Sequence, residues 1–413
     1  MSAHQGVVWI LTRETFGELL LGPALRIRLV ATEFVAKGWR VKILAAAGSV
    51  DQGWSGVEFG VLESGFTKRI STADKVVVGE LVPSRAMFEL LASDIPFHWD
   101  VYGLSLPETL SFAGTWTRAR SRADSRRKDL RYVMMSRAAD KIWISHAHQG
   151  TFLAALMART GRTADLSDAF ALPAKFIEAP MGCRGEPFPA GLANPYPDQG
   201  VDGPVFLWGG GVWEWFDTET VVRAFQILSE RNSPGSLFFL SGRNEANADY
   251  DAPLARVVAS AREKGLIGKN VFFNAKRVGP DQLGAWLEHS AGGVMGNLPT
   301  LESRMAWRTR YLDLMWAGRP LVVSGSDPLA EKMEREGAAI VVPFSDPHAL
   351  ADAIGRLAAD PELRKGMSAA SGRFGQNLSS ERTLARALDA SANGWCRGRS
   401  PGTIEKIRYL LGR

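Results

Sequence analysis

Residues 302 to 327, ESRMAWRTRYLDLMWAGRPLVVSGSD, gather carboxylates and guanidinium groups just ahead of an apolar run that begins at Pro320. A carboxylate such as Asp313 can accept hydrogen bonds from sugar or ribose hydroxyls, and the forked donors of Arg308 and Arg310 match phosphate oxygens. The spacing predicts one helix running through Ala317 and Gly318 into a buried strand. A helix so placed holds a polar ligand beside a parallel sheet, although a merely solvated helix face has the same composition.

Other chemistry-bearing residues also fall at the ends of apolar runs. FLWGGGVWEWFD sets Gly209, Gly210 and Gly211 between a predicted strand and a helix with Asp217 or Thr218 at its start. Glycine allows close backbone approach, and helix-start N–H groups favour phosphate. The later glycine of the dinucleotide fingerprint and the lysine of a P-loop are both missing, so a tight turn is an equal reading. LSGRNEAN puts Arg243 after the next strand, as a diphosphate ligand or as the salt-bridge partner of Glu245 or Asp249. The nearby Trp208, Trp213 and Trp215 offer planar faces to a base or a sugar, or form a rigid core.

In the first half, HWDVYG supplies His98, Asp100 and Tyr102, which strand alternation places on one face. Asp100 reads as a group that orients an acceptor hydroxyl or takes its proton, or as a turn carboxylate. His146 and His148 in SHAHQG follow the next strand and read as acceptor-side residues with Tyr102. Neither histidine has the serine and carboxylate spacing of a triad or a third metal ligand, and no metal is expected.

The elements that must carry these residues alternate strand and helix along 413 residues, too long for one core and suited to two domains. VVWILT, VKILAA, KVVVGE, IPFHWDVYG and KIWIS read as strands of a first sheet, with ALRIRLVATEFVAKG as a helix that stops at Gly38. After a proline- and glycine-rich segment the pattern restarts with PVFLW, SLFFL, VFFN, GGVMGN, PLVVS and AAIVV. Such alternation predicts α/β architecture, with two doubly wound, Rossmann-like domains facing across a cleft. The expected boundaries are an acceptor-side domain over 1–185, a linker over 186–203, a donor-binding domain over 204–390, and a helical tail over 391–413 that returns to the first domain.

A hydrophobic fraction of 46% and a charged fraction of 23% are those of a globular protein. Two cysteines exclude a disulfide framework, and a reducing compartment is expected. The opening residues read as a strand rather than a signal segment, and no run of roughly 18 apolar residues is present. The expected location is cytoplasmic. The net charge of +5 is concentrated in TRARSRADSRRKDLR, residues 117–131, a solvated helix or a peripheral contact with an anionic membrane.

The assembled pattern resembles the GT-B glycosyltransferases, in particular the family 4 type, across nearly the whole chain. LWGGGVWEWFDTETVVRAF, LSGRN, Glu302, RTRYLDLMWAGRP and the segment from SGSD to VVP look like its donor domain, and GPALRIRLVATEFVAKGWRVKIL looks like its opening loop and helix. The resemblance implies a donor-phosphate loop at Gly22, with Arg26 a weaker candidate. In the family two glutamates eight positions apart meet the sugar and the ribose. Asp313 stands at the second position and Met305 at the first, so Glu302 becomes the provisional sugar contact. Asp100 stands near the place of the family's cleft histidine, and the family's basic pair is missing from GGGVWEW, which passes phosphate work to Arg243, Arg308 and Arg310.

The resemblance implies a metal-independent, retaining transfer of sugar from a nucleotide-sugar to a glycan, lipid-linked or small-molecule hydroxyl, in surface polysaccharide or natural-product assembly. Asp100, Arg243 and Glu302 would be its catalytic residues, with no cofactor beyond the nucleotide-sugar co-substrate and no nucleic-acid partner. A coupling enzyme or sugar-nucleotide epimerase on the same scaffold, and a non-catalytic nucleotide-sugar binding subunit, are the alternatives.

Overall fold

The computed structural model describes residues 6–17, 20, 22–71, 74–112, 116–158, 175–240, 248–274, 278–279 and 281–392. Arg243 and the tail beyond residue 392 therefore lie outside the described residues.

Short runs such as VVWIL and LVVS are apolar on both faces, the pattern of strands inside a parallel sheet covered by helices. They assemble into two sheets in which every strand pairing is parallel. The first contains β1 (Val7–Leu11), β2 (Arg40–Ala45), β3 (Val57–Val61), β4 (Lys75–Gly79), β5 (His98–Val101), β6 (Lys141–Ile144) and β7 (Phe176–Glu178), in the order β3-β2-β1-β4-β5-β6-β7. The second contains β8 (Val205–Trp208), β9 (Ser236–Phe239), β10 (Val271–Phe273), β11 (Gly292–Gly296), β12 (Leu321–Ser324) and β13 (Ala339–Val342), in the order β10-β9-β8-β11-β12-β13. Strand order reverses between β1 and β4 in one sheet and between β8 and β11 in the other. Loops leaving such a switch point diverge, opening a crevice at the carboxyl ends of the strands.

Each sheet belongs to its own compact unit: one runs to Met181 and takes the chain up again at Ser380, and the other is Gly182–Ser379. In the first, the helix Gly22–Ala36 buries Ala24, Ile27, Val30, Ala31 and Phe34 at helical spacing. Its end is fixed by Gly38, at φ +85°, whose N–H reaches Val35 O at 2.9 Å. Helix Ser380–Ala392 crosses back and adds Leu384, Ala387 and Leu388 to the apolar cluster that holds Phe34 and Trp143. Burial of each of the two leucines is worth about 1.5–3 kcal/mol, which helps hold a helix this far from the rest of its unit in sequence. The crossing thus begins at Ser380, ahead of the expected tail.

The proline- and glycine-rich segment expected as a linker is a strap on the second unit. Tyr196 is buried and its hydroxyl donates to Trp286 O at 2.8 Å, while Gly191 and Leu192 N–H groups donate to Glu288, each at 2.7 Å. The two connections between the units are tied where they leave the second one, by Cys183 N–H donating to Leu378 O at 2.8 Å.

Candidate functional site

The segment expected as one helix over 302–316 is two, Leu301–Met305 and Thr309–Trp316. Ala306 is extended, at φ −76° and ψ 145°. The break turns Arg308 inward, where Nη1 and Nη2 donate to the two oxygens of Glu302 at 2.6 and 2.7 Å. Both side chains are buried, Arg308 to 5% exposure and Glu302 to 4%. Burial works against the Arg308 charge, yet Glu302 holds its guanidinium above the ordinary arginine value. Glu302 and Arg308 thereby satisfy one another.

Arg310 lies in a different environment. Its Nη2 donates to Gly211 O at 3.0 Å, and its guanidinium stacks over Phe216 at 4.4 Å and faces Trp208 at 5.7 Å. Among the described residues no carboxylate pairs with it. Burial, and then the charge of Arg308, push it down to about 9, as befits a cation short of counter-charge. The side chain is half-buried, so a ligand can reach it.

Arg310 meets the glycine loop directly at the switch point. Gly210, at φ +78°, adopts a backbone that ordinary residues avoid, and a Cβ there would stand 3.7 Å from the Arg310 guanidinium carbon. A Cβ on Gly296, at the end of β11, would collide with Asp217 O, so the two strand exits approach as closely as backbone permits. Beyond the loop, Asp217 caps helix Thr218–Glu230 by accepting from Thr220 N–H at 3.0 Å, and Trp213 stacks on Trp215 with centroids 5.5 Å apart. Beneath lies a buried polar network: Tyr311 OH and Asn297 Nδ2 donate to Asp327 at 2.8 and 3.1 Å, and Asp327 caps helix Pro328–Arg335.

Asp313 lies on the same short helix but pairs with Arg184, at 3.5 Å. Burial raises its carboxyl above the usual range, against the lowering effect of Arg184. Arg184 was not read from the sequence; it stands at the end of the domain expected over 1–185, beside the expected linker.

In the first unit Asp100 accepts from Arg26 Nε at 2.9 Å and Nη2 at 3.0 Å, and both side chains are almost fully buried. Both oxygens of the expected acceptor base are thus occupied, and Arg26 is turned into the protein beyond Gly22, at the start of its helix. Tyr102 is half-buried, and its phenol is raised by burial and by Glu108, Glu80 and Glu14. Glu14 and Glu80, at the exits of β1 and β4, were not read from the sequence. Burial raises both carboxyls, and Tyr132 and Ser105 donate to Glu80. His146 is buried and stands edge to face with the exposed His148 at 5.5 Å. Among the described residues no three His, Cys, Asp or Glu side chains are grouped to hold a metal ion.

No protein-family model and no curated protein matches the chain. Solved structures do. Sucrose-phosphate synthase from Thermosynechococcus elongatus is 16% identical with a TM-score of 0.72, over 94% of this chain and 100% of that one. WaaG, a glycosyltransferase involved in lipopolysaccharide biosynthesis, is 14% identical with a TM-score of 0.63, over 94% of this chain and 100% of that one. Anabaena HepE, in complex with UDP-glucose, is 12% identical with a TM-score of 0.62, over 92% of this chain and 99% of that one. The chain has the GT-B fold of these structures, with two Rossmann-like units and a helix that returns to the first.

Proposed function

We propose that the chain is a glycosyltransferase that moves a sugar from a nucleotide-sugar to a hydroxylated acceptor, with the donor diphosphate at Arg310 and the loop Gly209–Gly211. The observation that carries this reading is Arg310 itself: a half-buried cation without a carboxylate partner among the described residues, against a glycine loop, at the point where strand order reverses. A diphosphate is the anion that forked donors and glycine-loop N–H groups fit together. The UDP-glucose bound by Anabaena HepE supports a nucleotide-sugar as the donor class.

The chemistry is leaving-group stabilisation. As the anomeric carbon to oxygen bond breaks, negative charge grows on the diphosphate, and a cation already fixed over Phe216 meets it without reorganisation. Arg308, held by Glu302, sets a second guanidinium 4.9 Å over the same ring and braces it. Asp313 is assigned to the ribose and Arg243, which follows β9, to the diphosphate. Transfer with retention and without a metal, the diphosphate taking the acceptor proton, follows from the family resemblance.

The acceptor is assigned to the carboxyl ends of β5 and β6, at Tyr102, His146 and His148. A cytoplasmic enzyme of surface polysaccharide or natural-product assembly fits this reading. Exposed Arg118, Arg122, Arg126 and Arg127, with Arg120 stacked 4.1 Å over Trp116, would rest on an anionic membrane surface. Among the described residues no helix is long and apolar enough to cross a membrane. The reading is tested by titrating UDP, ADP and GDP into the protein calorimetrically. Binding that is lost on removal of the phosphates supports it, and equal binding of the bare nucleosides overturns the diphosphate assignment.

A further inference from the structure

The carboxylate assigned to the nucleotide already has a partner, and that partner is unusually well fixed. Arg184 Nη2 lies 3.5 Å from Asp313 Oδ1, and the same guanidinium stacks 4.7 Å over the Trp316 indole. Trp316 is itself pinned, its Nε1 donating to Glu186 O at 2.7 Å and its ring meeting Phe188 edge to face at 4.7 Å. Asp313 and Trp316 are one helical turn apart, so indole and carboxylate share a face of the helix Thr309–Trp316. An arginine held over an indole has fewer positions open to its fork, and the fork in turn constrains the carboxylate it touches.

We propose that Arg184 is a positioning residue of the donor site, holding the Asp313 carboxylate in the orientation that accepts the ribose hydroxyls of a nucleoside diphosphate. The proposal rests on the donor reading above. Arg184 Nη2 approaches the carboxylate at Oδ1. The Asp313 side chain keeps 35% exposure and has no other side-chain partner among the described residues, so a ligand can reach the carboxylate. Trp316 and Phe188 already tie the segment to the helix, so an ion pair is not required for that packing.

The other surroundings of Asp313 carry little charge. Cys183 stays a thiol, pushed up to about 12 by burial and by Asp313. Helix Pro361–Asn377, which packs on this helix, buries Met367, Ala370, Ser371 and Gly375. Glu186 meets the other terminal nitrogen of Arg184, at 4.0 Å. Arg184 is therefore the cation that offsets the burial of this carboxylate, and without it the carboxyl titrates higher.

The test titrates UDP, ADP and GDP, and then the 2′,3′-dideoxy counterpart of the tightest binder, into wild type, Arg184→Ala and Arg184→Lys. Wild type is expected to prefer the ribose form by about tenfold or more, the scale of hydrogen bonds to a charged group. Arg184→Ala should lose most of that preference while binding the dideoxy form within about twofold of wild type, and Arg184→Lys should recover part of it. The acid limb of the ribose preference should also move to higher pH in Arg184→Ala. Full ribose preference in Arg184→Ala overturns the proposal. So does an equal loss for both forms with a lowered melting temperature, which would assign Arg184 to packing. A wild type that binds no nucleotide, or does not distinguish the two forms, instead removes the donor reading and the proposal with it.

Discussion

Arg308 spends both terminal nitrogens on Glu302, at 2.6 and 2.7 Å, whereas Arg310, two residues on, meets among the described residues only the Gly211 carbonyl, the Met295 sulfur and aromatic faces. The two arginines look alike in sequence and have opposite roles. One is a neutralised anchor, the other a cation held for an anion.

Removing Arg310 should therefore cost ligand affinity rather than fold. Arg310→Gln is expected to weaken nucleoside diphosphate binding by about 1.5–3 kcal/mol, roughly 10- to 100-fold, with little change in affinity for the nucleoside. Calorimetry with the paired ligands checks it, and equal loss for both would place Arg310 outside the phosphate site.

Breaking the buried pair should have the reverse signature. Glu302→Gln leaves the Arg308 charge uncompensated and should destabilise the second unit by about 3–5 kcal/mol, whereas Glu302→Leu combined with Arg308→Met should be much milder. Urea unfolding followed by tryptophan fluorescence separates the two. A Glu302→Gln variant of wild-type stability would contradict the pairing.

Asp100→Asn should behave likewise in the first unit, because Arg26 keeps its charge at 1% exposure. A loss of about 3–5 kcal/mol is expected there as well. A variant that folds with wild-type stability and loses only turnover would restore Asp100 to an acceptor-base role.

His98 sets an acid limit on the first unit. Trp143 Nε1 donates to its Nδ1 at 3.1 Å, which leaves the proton on Nε2, 3.4 Å from Asp140. Burial holds the imidazole below its ordinary value, against the opposing pull of Asp140, with Lys141 and Lys75 adding to the depression. The unfolded chain binds its proton near pH 6.5, earlier than the folded one, so this contribution is full above about pH 6.5 and declines as pH falls below it. Urea midpoints measured from pH 7.5 down to 5 should fall in wild type and fall less in His98→Gln. Parallel curves would exclude His98 as the source.

The sheets were legible because their strands are runs buried on both faces, as in Val205–Trp208 and Leu321–Ser324. The first sheet's edge strands Val57–Val61 and Phe176–Glu178 were not, because they are short runs of mixed, partly exposed residues that periodicity does not single out. Arg310 and the glycine loop were legible as residue types at strand exits. Which arginine was free was not, since the break at Ala306 that turns Arg308 onto Glu302 leaves no mark in helical spacing. The pairs Arg26 with Asp100 and Arg184 with Asp313 join residues far apart in sequence, and only the assembled sheets bring them together.

The measurement closest to the central claim is product formation. Wild-type protein is incubated with UDP-, ADP-, GDP- and dTDP-sugars and a pool of hydroxylated glycan, lipid-linked and small-molecule acceptors, and both products are followed by mass spectrometry. The account predicts an acceptor carrying one added sugar, nucleoside diphosphate released in equal amount, and loss of both in Arg310→Gln. Donor that is rearranged without acceptor, or that binds and is returned intact across the whole panel, would contradict it.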